Sequence, residues 1–205
     1  MPRERHVSDT TRPKLTAQTP PPRTARAITD LSAPSSDPES MAAATDAVAA
    51  ALNGAGQACV LPGVLLGRLG LQAAAAAFVE ASGLPFATMF GDKSVLGEDH
   101  PSHIGLYAGR LTGEPVRAFV ESCDAVVMIG AMLTDGNTAG HTVRLDPGKT
   151  ITIDHHRTTV GSAVYRNVEM ADILAQLSGP IVGGGEDPIT TDALYPRLAG
   201  VLPTR

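Results

Sequence analysis

Two short, unbroken apolar runs constrain this chain more than any other feature: Ala58-Cys59-Val60-Leu61 and Ala125-Val126-Val127-Met128-Ile129-Gly130. A strand with one wet face alternates polar and apolar residues, so a run without alternation needs cover on both faces. Both runs sit between helical patterns. A first helix begins at Ser36-Asp37-Pro38-Glu39, a capping-box pattern in which a Ser side chain accepts from first-turn amides and Glu39 reaches back. It carries the apolar stripe Met41, Ala44, Val48 and Leu52 and stops near Gly54 and Gly56. An Ala-rich helix over about 68–82, capped by Gly83, leads to a second strand over 86–90 opened by Pro85. A loop rich in Gly, His and Pro covers 91–112. A helix over 114–122 precedes the second apolar run. A polar loop over 134–140, a strand over 150–153 and a helix over 170–177 complete the core.

Helices alternating with continuous apolar strands predict an α/β domain. The expected form is a doubly wound, Rossmann-like parallel sheet with helices on both faces and right-handed crossovers. Aromatic residues are only 3%, with no Trp, so the core must be built from Ala, Val, Leu and Ile. Residues 1–36 are rich in Pro, Thr and Arg and bury too little to offset their ordering entropy. They read as a disordered arm or interdomain linker. Residues 179–189 read as a Gly-rich linker, and 190–205 as a fresh helix carrying Leu194, Leu198 and Leu202.

A net charge of −5 with no basic stripe excludes a nucleic-acid partner. The longest apolar run, residues 73–79, falls far short of the ~20 residues of a membrane span. The basic, polar N-terminus lacks the apolar centre of a secretory signal. The chain is therefore placed in the cytoplasm, with Cys59 and Cys123 as buried reduced thiols.

Motifs that could carry chemistry are weak. The first strand leads into Gly63-Val64-Leu65-Leu66-Gly67-Arg68-Leu69-Gly70. This is G-x-x-x-G-x-x-G rather than the G-x-G-x-x-G that lets a backbone approach a pyrophosphate. Gly91-Asp92-Lys93-Ser94 lacks the first glycine of a phosphate loop and reads as a polar loop. His100-Pro101-Ser102-His103 and Asp154-His155-His156 suggest metal ligands. However, Pro101 disfavours a shared helical face, and adjacent His155 and His156 would point to opposite sides of a continued strand. Both pairs read as loop and surface residues. Asp135-Gly136-Asn137 is a turn signal. Glu80, Glu98, Asp99 and Glu121 show no pairing. No catalytic, cofactor-binding or metal residue is assigned.

Residues 91–101 (Gly91-Asp92-Lys93-Ser94-Val95-Leu96-Gly97-Glu98-Asp99-His100-Pro101) and then Ile104-Gly105-Leu106-Tyr107-Ala108-Gly109 carry a family likeness. So do Val116, residues 120–125 and Ile129-Gly130-Ala131-Met132-Leu133-Thr134-Asp135 with Asn137-Thr138. These segments resemble the central domain of thiamine-diphosphate-dependent 2-oxo-acid decarboxylases, the pyruvate and indolepyruvate decarboxylase family. The likeness runs over 37–178, and residues 188–198 resemble the first helix of that family's diphosphate-binding domain.

The resemblance implies a six-stranded parallel sheet and a role in assembly. It implies thiamine diphosphate and Mg²⁺ for the full-length family, held by flanking domains through an activating glutamate and a GDG…N motif. Thr134-Asp135-Gly136 is not that motif. Residues 62–68 also lack the regulatory Cys of some members, so activation by substrate is not expected. The expectation is a structural and assembly domain, a fragment or split subunit that binds no cofactor alone. Its partners would be further copies of itself or separately encoded decarboxylase domains. A stand-alone module binding ADP or FAD in the Rossmann-like cleft is the alternative.

Overall fold

The computed structural model describes residues 34–178. Of the arm expected over 1–36, residues 1–33 lie outside the described residues, as do the Gly-rich linker expected over 179–189 and the helix expected over 190–205. The first helix, α1 (Pro38–Asn53), is capped by Asp37, whose carboxylate accepts the Ser40 amide at 2.9 Å. Ser36, the other residue able to cap, is used elsewhere. Its hydroxyl donates to Asp172 Oδ2 at 2.7 Å and accepts the Glu169 amide at 2.8 Å. The expected stripe is buried at Ala44, Val48 and Leu52.

The first apolar run forms β1 (Ala58–Pro62), buried at every position. The helix expected over 68–82 is two helices, α2 (Val64–Leu69) and α3 (Gln72–Ser82). Between them Gly70 adopts a left-handed φ of 70°, which stops the first and lets the second start at a new angle. Gly83 ends α3 in the same conformation, as expected. The second strand, β2 (Phe86–Thr88), is shorter than expected because a 3-10 turn at Phe90–Asp92 follows it. The expected loop over 91–112 contains β3 (His103–Leu106), half-buried throughout. The next helix and apolar run form α4 (Glu114–Ser122) and β4 (Ala125–Ile129).

The last strand foreseen, β5 (Thr150–Asp154), doubles back through β6 (Arg157–Val160) and β7 (Ala163–Arg166) before α5 (Met170–Ser178). The sheet order is β3-β2-β1-β4-β5-β6-β7. Strands β3 to β5 in that order pair in parallel, and β6 and β7 add an antiparallel edge. The doubly wound α/β class holds, while the six-stranded parallel sheet becomes a seven-stranded mixed one.

Alternate residues of the central strands enter two apolar layers. On one face α1, α3 and α5 bury Phe86, Val60, Val127, Ile151 and Ile153. On the other, α4 covers Leu61, Met89, Tyr107 and Met128, helped by Val143 and Leu145 from the β4–β5 connection. Cys59 and Cys123 are both free and buried in this second layer. Among the described residues no helix is long and apolar enough to cross a membrane.

Candidate functional site

Ligands of open α/β sheets bind outside the carboxyl ends of the strands, where neighbouring strands lead away in opposite directions. Here that point lies between β1, which leads to β2 on one side, and β4, which leads to β5 on the other. A phosphate there would use backbone amides after β1. Those amides have protein partners. Gly63 N–H donates to Ile129 O at 2.8 Å, and Val64 N–H to Asp92 Oδ1 at 2.8 Å. Leu65 N–H donates to Gly130 O at 3.2 Å, and Leu66 N–H to Gly63 O at 3.0 Å. A Cβ on Gly63 would land inside the backbone of Gly130 and Ala131. This glycine is required by the close approach of the loop after β4.

Asp92 is the centre of the closure. It is 1% exposed, and its second oxygen accepts from Asn137 Nδ2 at 2.9 Å. Asn137 Nδ2 also donates to Met132 O at 2.9 Å, while its Oδ1 accepts Gly91 N–H at 2.6 Å. One Asp–Asn pair therefore ties together the loops after β1, β2 and β4. Burial pushes the Asp92 carboxyl up, against the downward pull of its bonds from Val64 and Asn137. With both oxygens engaged, the group positions loops rather than transferring protons.

The expectation of a polar loop at 91–94 and a turn at 135–137 was half right. Asp135 and Gly136 are exposed and form the turn, but Asp92 and Asn137 point inward. Residue type alone could not separate an inward Asn from a turn Asn. The signal available was that both residues fall in the segments that carry the family likeness.

A second tie lies on the α4 face. The buried Tyr107 hydroxyl donates to Glu121 Oε1 at 3.2 Å, and the same oxygen accepts Arg144 N–H at 3.1 Å. Desolvation and the neighbouring Glu121 charge push the Tyr107 phenol far above its ordinary value. Glu121, without a pairing in the sequence, thus joins α4 to the ends of β3 and the β4–β5 connection.

One histidine departs from expectation. His103 is a strand residue, not a surface one: its Nδ1 lies 3.0 Å from Glu98 O and its Nε2 lies 3.2 Å from Thr88 Oγ1. His100 and His103 both pack against the Phe86 ring, at 5.6 and 5.1 Å between centroids. His155 and His156 are exposed residues of a turn, as expected, and their rings stack at 3.8 Å.

A family model described as thiamine pyrophosphate enzyme, central domain, matches residues 45–177. Among curated proteins, the alpha-keto-acid decarboxylase of Mycobacterium leprae is 32% identical over 126 residues, covering 62% of this chain and 22% of the relative. The alpha-keto-acid decarboxylase of Mycobacterium avium is 32% identical over 148 residues, covering 72% of this chain and 26% of the relative. That of Mycobacterium tuberculosis is 33% identical over 129 residues, covering 63% and 23%. The chain thus spans about a quarter of the length of the curated relatives it matches.

Proposed function

Because the chain belongs to the central-domain family of thiamine pyrophosphate enzymes, we propose that it is the assembly domain of a 2-oxo-acid decarboxylase, with no cofactor site of its own. The observation that carries this reading is the closed crevice. The Val64 and Leu65 amides are spent on Asp92 and Gly130, and Gly63 is pressed against Ala131. Amides spent in this way are not free to cradle a diphosphate at the β1–β4 crevice, which supports the reading.

Exposed apolar side chains support an assembly role. Phe90 and Leu133 are 59% and 44% exposed and flank the Asp92–Asn137 pair on adjoining loops. Apolar groups left in water beside a rigid scaffold favour burial against another protein surface. That surface would belong to cofactor-binding domains or to a further copy of this one, in the cytoplasm. The thiamine diphosphate and Mg²⁺ of the working enzyme would be held by those other domains.

Calorimetric titration of thiamine diphosphate with Mg²⁺ into the chain, shown to be folded by circular dichroism, tests the reading. No binding heat is expected. Stoichiometric binding would overturn the assembly role and place a cofactor site on this chain.

A further inference from the structure

Among the described residues, one group of metal-ligating side chains stands close enough to share an ion. It comprises His155, His156 and Glu169, whose donor atoms all lie within 4.8 Å of one another. The group arises from the β5–β6 hairpin. The last cross-strand pair is Asp154 with Arg157, so His155 and His156 form the two-residue turn beyond it. A turn removes the strand alternation that would send neighbouring side chains to opposite faces. The rings stack with an interplanar angle of 27°. Both present Nδ1 to one carboxylate. His156 Nδ1 lies 2.7 and 2.9 Å from the two Glu169 oxygens, and His155 Nδ1 lies 3.9 Å from Oε2.

The frame that holds these groups is fixed by backbone. Met170 N–H donates to His155 O and Val168 N–H to His156 O, both at 3.4 Å, while Glu169 N–H donates to Ser36 Oγ at 2.8 Å. Hairpin turn and Glu169 segment are thus bound to each other on either side of the donor atoms. Glu169 is 8% exposed and directs its carboxylate at two half-exposed rings. Of the neighbouring charges, Arg157 is held by Asp154 at 2.8 Å and Asp172 by Ser36, while Arg166 stands across from Arg157 on β7.

We propose that this turn binds a divalent cation of the zinc class. The ligands are Nδ1 of His155, Nδ1 of His156 and a Glu169 oxygen, with water in the fourth position. Two imidazoles and one carboxylate with an open position form a donor set that zinc accepts, whereas Mg²⁺ demands oxygen ligands. Ligation uses the tautomer of each ring whose proton sits on Nε2, which leaves the Nδ1 lone pair for the ion. Half-exposed rings have room to turn toward a common centre. The site lies beyond the carboxyl end of β5 at the start of the antiparallel edge, in a pocket that Leu65, Arg166 and Asn167 also line. It uses none of the residues that close the β1–β4 crevice through Asp92 and Asn137.

Titration of zinc chloride into the metal-free full chain, followed by calorimetry, is expected to show one ion bound per chain. Magnesium chloride should give no such heat. His155→Ala removes an exposed ring whose loss leaves no buried group unpaired, so the variant should stay folded by circular dichroism. It is expected to bind zinc about tenfold or more weakly, as is Glu169→Gln. No zinc binding by the unaltered chain, or unchanged affinity in folded His155→Ala, would overturn the proposal.

Discussion

Gly63→Ala is expected to cost the domain roughly 4 kcal/mol or more, a loss that removes most of the stability of a domain near the lower end of the usual range of about 5–15 kcal/mol. The backbone of Gly63 is extended, at φ −120° and ψ 170°, so alanine is conformationally acceptable there. The cost is steric. The new methyl would occupy the same space as the Gly130 carbonyl and Ala131 backbone, and neither can retreat without breaking the bonds from Gly63 to Ile129 and from Leu65 to Gly130. Gly70→Ala provides the contrast. There the φ is left-handed but a Cβ meets nothing within 4 Å, so only the conformational penalty of about 1–2 kcal/mol applies. Urea denaturation of both variants measures the difference, and equal losses would show that the β1–β4 closure is not tight.

The second large effect belongs to the Asp92–Asn137 pair. Asp92→Ala leaves the Val64 amide and the Asn137 side chain without their acceptor in a buried place. Each orphaned group costs about 1–3 kcal/mol, which predicts a loss of roughly 3 kcal/mol. Asp92→Asn keeps the acceptor for Val64 but sets one amide donor against another at Asn137, so a smaller loss of roughly 1–2 kcal/mol is expected. Rotating Asn137 to relieve this would forfeit its bonds to Met132 O and Gly91 N–H. Because the two residues share a bond, Asp92→Ala and Asn137→Ala combined should cost less than their sum, by roughly 1 kcal/mol or more. The sign of the pH dependence follows from burial. The folded carboxyl is raised above its unfolded value, so its contribution is complete below the unfolded pKa and declines as pH rises through the folded one. The deficit of Asp92→Asn should accordingly be larger in acid than at neutral pH, read from denaturation midpoints across that range.

The parts of the fold legible in the sequence were those where a single physical demand dominates. β1 and β4 are buried on both faces and therefore read as continuous apolar runs. Gly83 and the stripe on α1 were plain for similar reasons. β3 escaped because His103, Ile104, Gly105 and Leu106 are all half-buried. They neither alternate nor form an apolar run. β6 and β7 are an edge hairpin with one fully buried side chain, Thr158, and edge strands carry polar residues that look like loop. The split between α2 and α3 depended on the conformation of Gly70, which composition does not reveal.

The site was less legible than the fold. Asp92 and Asn137 are forty-five residues apart in sequence, and each looks like a turn former by itself. Only the sheet order that places β4 beside β1 brings them together. The same is true of His156 and Glu169, whose meeting depends on the unforeseen hairpin.

Amide hydrogen exchange, resolved by residue with NMR, tests the closed crevice most directly. Val64, Leu65 and Gly91 N–H groups should exchange slowly, near the rate set by global unfolding, and excess thiamine diphosphate with Mg²⁺ or ADP should leave their resonances in place. Rapid exchange at Val64 and Leu65, or resonances there that shift on adding either ligand, would contradict the account and open the crevice as a binding site.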